Sequence, residues 1–128
     1  MKLLLDTHIW LWAIHDSKRL GKLLLRELRN QDNELWLSPI STWEALILHT
    51  KGRVNLGSDL DDWLRRATAG TREAPLTHEI ALAAGDLPLH QDPADRFLAA
   101  TALVLDLILV TADQRLLGLG EIRTLANR

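Results

Sequence analysis

The amino-acid sequence predicts an α/β fold: a central parallel β-sheet flanked by helices, an α/β/α sandwich. Three observations lead there. Leu3-Leu4-Leu5 and Leu107-Ile108-Leu109-Val110 are short, wholly apolar runs of the kind that suits strands buried on both faces. Both runs stop near an acid, Asp6 after the first and Asp113 after the second, with a helix-like segment beyond. Strand-like and helical segments then alternate along the chain, which calls for parallel pairing with right-handed crossovers. With 128 residues, 47% hydrophobic and 25% charged, the expectation is a single domain over residues 1–128. A chain of this size buries roughly two-thirds of its unfolded surface without staples.

Taken in order, residues 2–5 form the first strand. Residues 8–15 form a helix whose Ile9, Trp10, Leu11, Trp12 and Ile14 are apolar nearly all round, so it is buried on several sides or covered by a partner. Residues 20–30 make a second helix, with Leu20, Leu24 and Leu28 on one face and a basic row of Lys18, Lys22, Arg26 and Arg29 on another. That row reads as a solvated face, its other use being contact with nucleic-acid phosphates. Residues 34–37 form a short apolar strand after turn-forming polar residues. Ser38-Pro39 opens a helix that runs through Lys51 and stops at Gly52. Gly57-Ser58 and Gly70-Thr71 bracket a helix holding Leu60, Trp63 and Leu64, and residues 73–76 give a third, weakly signalled strand. Residues 77–84 are helical with Gly85 at the end, and residues 87–91 form a loop. Asp92 before Pro93 then starts a long helix: the carboxylate takes an orphan N–H, and proline's fixed φ suits the first helical position. Asp95 falls in its first turn, and Leu98, Ala102 and Leu105 share one face. A strand over 107–110, a short helix over 113–117 and a last strand over 122–125 complete the chain.

Composition removes several classes of function. No cysteine is present, which excludes disulfides, zinc ribbons and thiol nucleophiles and is compatible with a reducing cytoplasm. No stretch approaches the ~18 unbroken apolar residues of a membrane helix, and the opening apolar run is too short for a signal peptide. A soluble, cytoplasmic protein away from the membrane is expected. A formal charge of -2 excludes the bulk attraction of a strongly basic nucleic-acid binder, so any nucleic acid must be held locally. There is no G-x-G-x-x-G and no G-x-x-x-x-G-K-[ST] loop, His78-Glu79 lacks the second histidine of a zincin helix, and no serine stands in a G-x-S-x-G elbow. His8, His15, His49 and His90 share no ligand spacing and read as surface or packed residues. The five tryptophans read as core or interface area rather than base-stacking platforms.

The acids carry the chemistry. In a parallel α/β sheet Asp6, Asp113 and the Asp92/Asp95 pair fall at the carboxyl edge, where helix N-termini point and ligands bind. Glu44, about two turns into the helix after the second strand, is close enough to face the same crevice. Capping accounts for each acid singly. Asp6 and Asp113 can cap the following helices, Asp95 can complete a capping box with Asp92, and Glu44 can reciprocate Ser41. Capping does not account for four carboxylates on one crevice, which repel unless a cation neutralises them. Oxygen ligands without cysteine or paired histidines select Mg²⁺ or Mn²⁺ over zinc, and so a metal-dependent phosphoryl or phosphodiester site.

At these residues the chain resembles the PIN-domain ribonucleases, and among them the VapC-type toxins of type II toxin–antitoxin pairs. The likeness rests on Leu4-Leu5-Asp6-Thr7-His8, on Ser38-Pro39-Ile40-Ser41-Thr42-Trp43-Glu44, on His90-Gln91-Asp92-Pro93-Ala94-Asp95-Arg96 with Leu98-Ala99-Ala100-Thr101-Ala102, and on Leu109-Val110-Thr111-Ala112-Asp113. Each motif is short, but their order and spacing are specific. The family's acidic quartet falls on Asp6, Glu44, Asp95 and Asp113. Asp92 matches a recurrent family position, while its cap role before Pro93 explains it without metal. Ala94 departs from the bulkier residue of relatives, which touches loop packing and not the chemistry.

The resemblance implies a PIN-like fold and endonucleolytic cleavage of RNA. In that scheme one or two Mg²⁺ ions, or Mn²⁺ in their place, held by Asp6, Glu44, Asp95 and Asp113, activate a water that attacks the phosphodiester in line and expels the 3′-oxygen. Asp6 and Asp113 are the expected direct ligands, with Thr7 or Thr111 orienting one of them. Arg96 would contact a substrate phosphate or form a surface ion pair. The resemblance also implies a cognate VapB-like antitoxin docking near the first two helices, on the face of Trp10, Trp12, Ile14 and Leu20 to Leu28, and a homodimer. Two rivals remain: a PIN scaffold that binds RNA or protein without catalysis, and another Mg²⁺-dependent α/β phosphotransfer domain. The second wants an acid next to the acceptor aspartate and a distal lysine, whereas Asp6 is followed by Thr7-His8.

Overall fold

Five parallel strands set the frame: β1 (Lys2–Leu5), β2 (Glu34–Leu37), β3 (Thr71–Glu73), β4 (Ile108–Thr111) and β5 (Arg123–Ala126), in the spatial order β3-β2-β1-β4-β5. The computed structural model describes residues 1–128. Seven helices join the strands: α1 (Thr7–His15), α2 (Lys22–Arg29), α3 (Pro39–Thr50), α4 (Leu60–Ala67), α5 (His78–Asp86), α6 (Pro93–Leu105) and α7 (Gln114–Leu117). The predicted parallel α/β architecture is the one formed. The chain steps outward from β1 through β2 to β3, then returns past β1 to lay β4 on its other side. That reversal makes the gap between the carboxyl ends of β1 and β4 the topological switch point of the sheet, the usual ligand crevice of open α/β folds.

Side chains alternate across the sheet and feed two cores. Leu4 and Leu109 point into one, filled by Ile80 and Ala84 of α5, Leu98, Ala99 and Ala102 of α6, and Leu116 of α7. Leu3, Leu5 and Val110 point into the other, filled by Ile9 and Trp10 of α1, Leu24 of α2, Ala45 of α3 and Trp63 of α4. A strand covered on both faces has no polar position to spare, which is why three consecutive leucines spell β1. The Trp10 indole N–H donates to Ala67 O at 2.9 Å and its ring meets Trp63, so these two tryptophans are core.

Several boundaries differ from the sequence reading, each for a tertiary or local reason. The third strand is Thr71–Glu73, not residues 73–76. Gly70, at φ 80°, turns the chain directly out of α4 into the strand, and Pro75 has no N–H to extend the ladder. The fourth and fifth strands each sit one residue later than expected. Helix α5 runs through Gly85 to Asp86 and stops only at Leu87, which precedes Pro88 and is thereby biased away from helix.

The predicted helix over 20–30 is shorter, Lys22–Arg29, with a separate 3₁₀ turn at Ser17–Arg19 that takes Lys18 off the basic row. Residues 127 and 128 lie across its start. Leu24 N donates to Arg128 O at 3.1 Å, supplying the cap that Gly21 has no side chain to give. A β-carbon on Gly21 would lie 1.7 Å from the Arg128 carbonyl carbon, so only glycine fits. The apolar surplus expected on the first two helices is mostly core: Trp10, Leu20 and Leu24 are 2%, 5% and 1% exposed. Ile14 and Leu23 are what remains open, and Trp12 is half-buried under the Arg19 guanidinium, 4.4 Å from its ring centroid.

Candidate active site

A cleft of about 330 Å³ opens at the switch point, lined by Asp6, His8, Trp12, Glu44, Asp92, Asp95, Ala112, Asp113 and Arg115. A larger groove of about 810 Å³ between α2, α7 and β5 holds one acid, Glu27, so volume alone does not mark the chemistry. The cleft brings together all four acids predicted from the sequence, and Asp92 with them.

The strand ends place them. Asp6 N–H donates to Val110 O at 3.0 Å, continuing the β1–β4 ladder one step past β1. Its Oδ1 accepts from Thr7 N at 2.7 Å, capping α1, and its Oδ2 accepts from the Thr111 hydroxyl at 2.6 Å. Capping and membership of the cleft are therefore not alternatives for Asp6. Asp113 shows the same duality: Oδ1 accepts from Arg115 N at 2.8 Å to cap α7 while the residue lines the cleft. Thr7 Oγ1 donates to Glu44 Oε1 and lies 2.9 Å from Ser41 Oγ. Having one proton, Thr7 gives it to the carboxylate and accepts from Ser41. The considered Ser41–Glu44 capping box does not form, because α3 is capped by Ser38, whose hydroxyl accepts from Ile40 N at 3.1 Å.

Asp92 caps α6, accepting from Ala94 N at 3.0 Å and Asp95 N at 3.4 Å. Asp95 does not reciprocate. Its Oδ2 lies 2.7 Å from His90 Nε2, a pairing that the sequence reading of His90 as a surface or packed residue missed. No spacing rule links a loop histidine to an acid one turn inside the next helix. Arg96 also departs from both expectations. Its guanidinium donates to the carbonyls of Ala84, Gly85, Leu87, Leu89 and His90, tying the end of α5 and the following loop to α6, and none of its partners is an acid.

Burial and mutual repulsion govern the charges. Asp6 is pushed above the ordinary carboxylate value, first by burial and then by Asp95, against the hydrogen bond from Thr111. Glu44 is raised by burial and by Asp6, Asp92 and Asp95, against the hydrogen bond from Thr7. Asp95 is raised by burial, Asp92 and Asp113, against His90. Asp113 alone is lowered: burial opposes this, but the Arg115 hydrogen bonds and charge outweigh it. The donor set fits a hard divalent cation, since it offers carboxylate oxygens, no sulfur, and five acids against one arginine, Arg115, which pairs with Asp113 and reaches Asp95 at 4.0 Å. His90, Asp92 and Asp95 are the one trio whose donor atoms all lie within 4.8 Å of one another; no trio drawn from Asp6, Glu44, Asp95 and Asp113 is gathered that closely.

These directions set a pH dependence. With folded values above the ordinary 3.8 and 4.5, Asp6, Glu44 and Asp95 retain protons, over the pH interval between the ordinary and the raised values, that the unfolded chain has released. Their stabilising contribution is complete below those ordinary values and is lost as pH rises through the raised ones. Asp113 works the other way, losing its contribution as pH falls through its depressed value. Thermal melts in EDTA are expected to show the contribution of the three raised carboxylates as a Tm that falls as pH is raised from about 4, just above the ordinary carboxylate values, to about 8. A flat or rising Tm would show that the three carboxylates are compensated elsewhere.

Comparison with known proteins bears on the fold and the family. The PIN domain family model matches residues 3–122. The chain is 33% identical over 115 residues to ribonuclease VapC22 of Mycobacterium tuberculosis, covering 88% of each. Its fold is similar to that in VapBC2 from Rickettsia felis bound to a promoter DNA fragment, with a TM-score of 0.74, 16% identity and 98% of both chains covered. It is equally similar to that in DNA-bound VapBC from Salmonella typhimurium, with a TM-score of 0.75, 16% identity, and 100% of this chain and 99% of that one covered. From the match over nearly its full length and the relative at 33% identity, the chain belongs to the PIN-domain family, among its VapC-type members.

Proposed function

We propose that this protein is a metal-dependent endoribonuclease, the toxin of a VapBC-type pair. The observation that carries the reading is the gathering of five carboxylates on one cleft at the switch point, three of them raised above their ordinary values, with Arg115 as the one arginine or lysine among them. The related VapC22 is named a ribonuclease, which supports RNA as the substrate. Asp6, Glu44, Asp95 and Asp113 would hold the ion, with Asp92 and His90 at its edge. Mg²⁺, or Mn²⁺ in its place, supplies when bound the charge that polarises a phosphate and makes water nucleophilic enough to break the P–O3′ bond. The Thr111 and Thr7 hydroxyls each give their proton to a carboxylate, which fixes the orientation of Asp6 and Glu44 and favours their ionised forms. His90 does the same for Asp95.

All 128 residues form one domain in this reading, since both cores pack on one sheet. The similar solved structures are toxin–antitoxin complexes, which supports an antitoxin as partner, docking near α1 and α2 where Ile14 and Leu23 stay exposed. A homodimer completes the proposed assembly. No helix is long and apolar enough to cross a membrane. The test is cleavage of a panel of structured RNAs with Mg²⁺, with Mn²⁺ and with EDTA. Cleavage is expected with either ion and none in EDTA. Full activity in EDTA would remove the metal from the reading, and binding without cleavage under every condition would leave a scaffold.

A further inference from the structure

Arg115 is the one arginine or lysine that lines the acidic cleft. It is the second residue of α7, its side chain is 61% exposed, and all its side-chain partners are site acids. Nη2 lies 3.1 Å from Asp113 Oδ2 and 4.0 Å from Asp95 Oδ2, and Nε lies 3.4 Å from Asp113 Oδ1. The other arginines with carboxylate or carbonyl partners are engaged away from the cleft: Arg65 and Arg66 with Asp62, Arg72 with Glu34, Arg123 with Asp106, and Arg96 with five carbonyls.

We propose, on the reading of the cleft as a divalent-metal site, that Arg115 is a displaceable counter-cation: it occupies Asp113 and Asp95 while the cleft is empty of metal, and turns to the substrate's phosphodiester once an ion takes those oxygens. Three features support this. Asp113 does not need the guanidinium to stay in place, because the Arg115 backbone N–H holds Oδ1 at 2.8 Å as the α7 cap. An exposed ion pair is weak and yields readily to a divalent cation competing for the same oxygens. A guanidinium set free at the mouth of the cleft, repelled by the ion, meets in the phosphodiester the planar oxygen pair that it binds best.

The test compares wild type, Arg115→Ala and Arg115→Lys, all stripped with EDTA and dialysed. Calorimetric titration with Mn²⁺ is expected to show Arg115→Ala binding the ion about three- to tenfold more tightly than wild type, with Arg115→Lys between them. Anisotropy of a labelled single-stranded phosphorothioate RNA of mixed sequence, whose backbone resists cleavage, is expected to show weaker binding by Arg115→Ala in saturating Mn²⁺ and little difference in EDTA. Mn²⁺ affinity that is unchanged or weaker in Arg115→Ala overturns the proposal while leaving the metal site standing. A wild type that binds no Mn²⁺ overturns the metal reading, and the counter-cation role with it.

Discussion

Replacing Asp6 with Asn is expected to lower kcat/KM for RNA cleavage by about 10³-fold while leaving the fold intact. Asp6 is 8% exposed, so its charge acts with little solvent screening on whatever occupies the cleft. Asparagine keeps the geometry. Its amide oxygen still accepts from Thr7 N, and its amide N–H₂ can donate to Thr111 Oγ1, which already accepts from Asp113 N at 3.1 Å. What is lost is one negative charge and one ligand oxygen. In EDTA, Asp6→Asn should melt no lower than wild type, because the neutral amide relieves the repulsion that raises its neighbours. Mg²⁺ at a hundredfold excess over its dissociation constant should stabilise wild type by about 2.7 kcal/mol and the variant far less. Asp6→Ala removes the cap as well, at a cost of about 0.5–2 kcal/mol, offset in part by the same relief. Since Asp6 is both cap and cleft residue, the instability of the alanine variant decides nothing by itself. Single-turnover rates and melts of Asp6→Asn with and without Mg²⁺ decide: wild-type rate together with full Mg²⁺ stabilisation would take Asp6 out of the site.

Replacing Arg96 with Ala is expected to destabilise the protein by about 2–4 kcal/mol, although Arg96 touches none of the acids. Its five acceptors include Ala84 O at 2.9 Å and Gly85 O at 3.1 Å, carbonyls from the last turn of α5 with no helical partner left to them. The others, Leu87 O at 3.0 Å, Leu89 O at 2.6 Å and His90 O at 3.3 Å, belong to the loop that delivers His90 to Asp95. Lysine cannot stand in, because an ammonium has three donors and no planar fork. Arg96→Lys should therefore recover only a minor part of the loss. Limited proteolysis should open the loop after α5 first, and cleavage activity should fall with it as the His90–Asp95 contact loosens. A wild-type melting temperature in Arg96→Ala would show that solvent satisfies these carbonyls equally well.

Helix boundaries, strand positions and the identity of the acids were legible in the sequence to within a residue or two wherever the signal was local. Leu3 to Leu5 reads as a strand covered on both faces, and Ser38-Pro39 and Asp92-Pro93 start helices through chemistry contained within three residues. Thr71–Glu73 was misplaced because a short edge strand with one buried neighbour carries almost no pattern, its position being set by pairing Leu35 with Thr71. The start of α2 was misplaced because its cap arrives from residue 128.

By itself the sequence determined the parallel α/β class, the apolar faces and the set of acids at strand and helix ends, since these follow from residue periodicity and from which side chains can satisfy a helix start. Only the tertiary structure decided what those acids meet. The crossover that lays β4 beside β1 sets Thr111 against Asp6, 105 residues apart, and packing of α3 across the sheet brings Glu44 to Thr7. The same packing made Trp10 core, gave Arg96 its carbonyls and left Arg115 facing the carboxylates. Periodicity reports which face of an element is buried; which residues touch across the cleft depends on strand order and register, and no short window of sequence contains them.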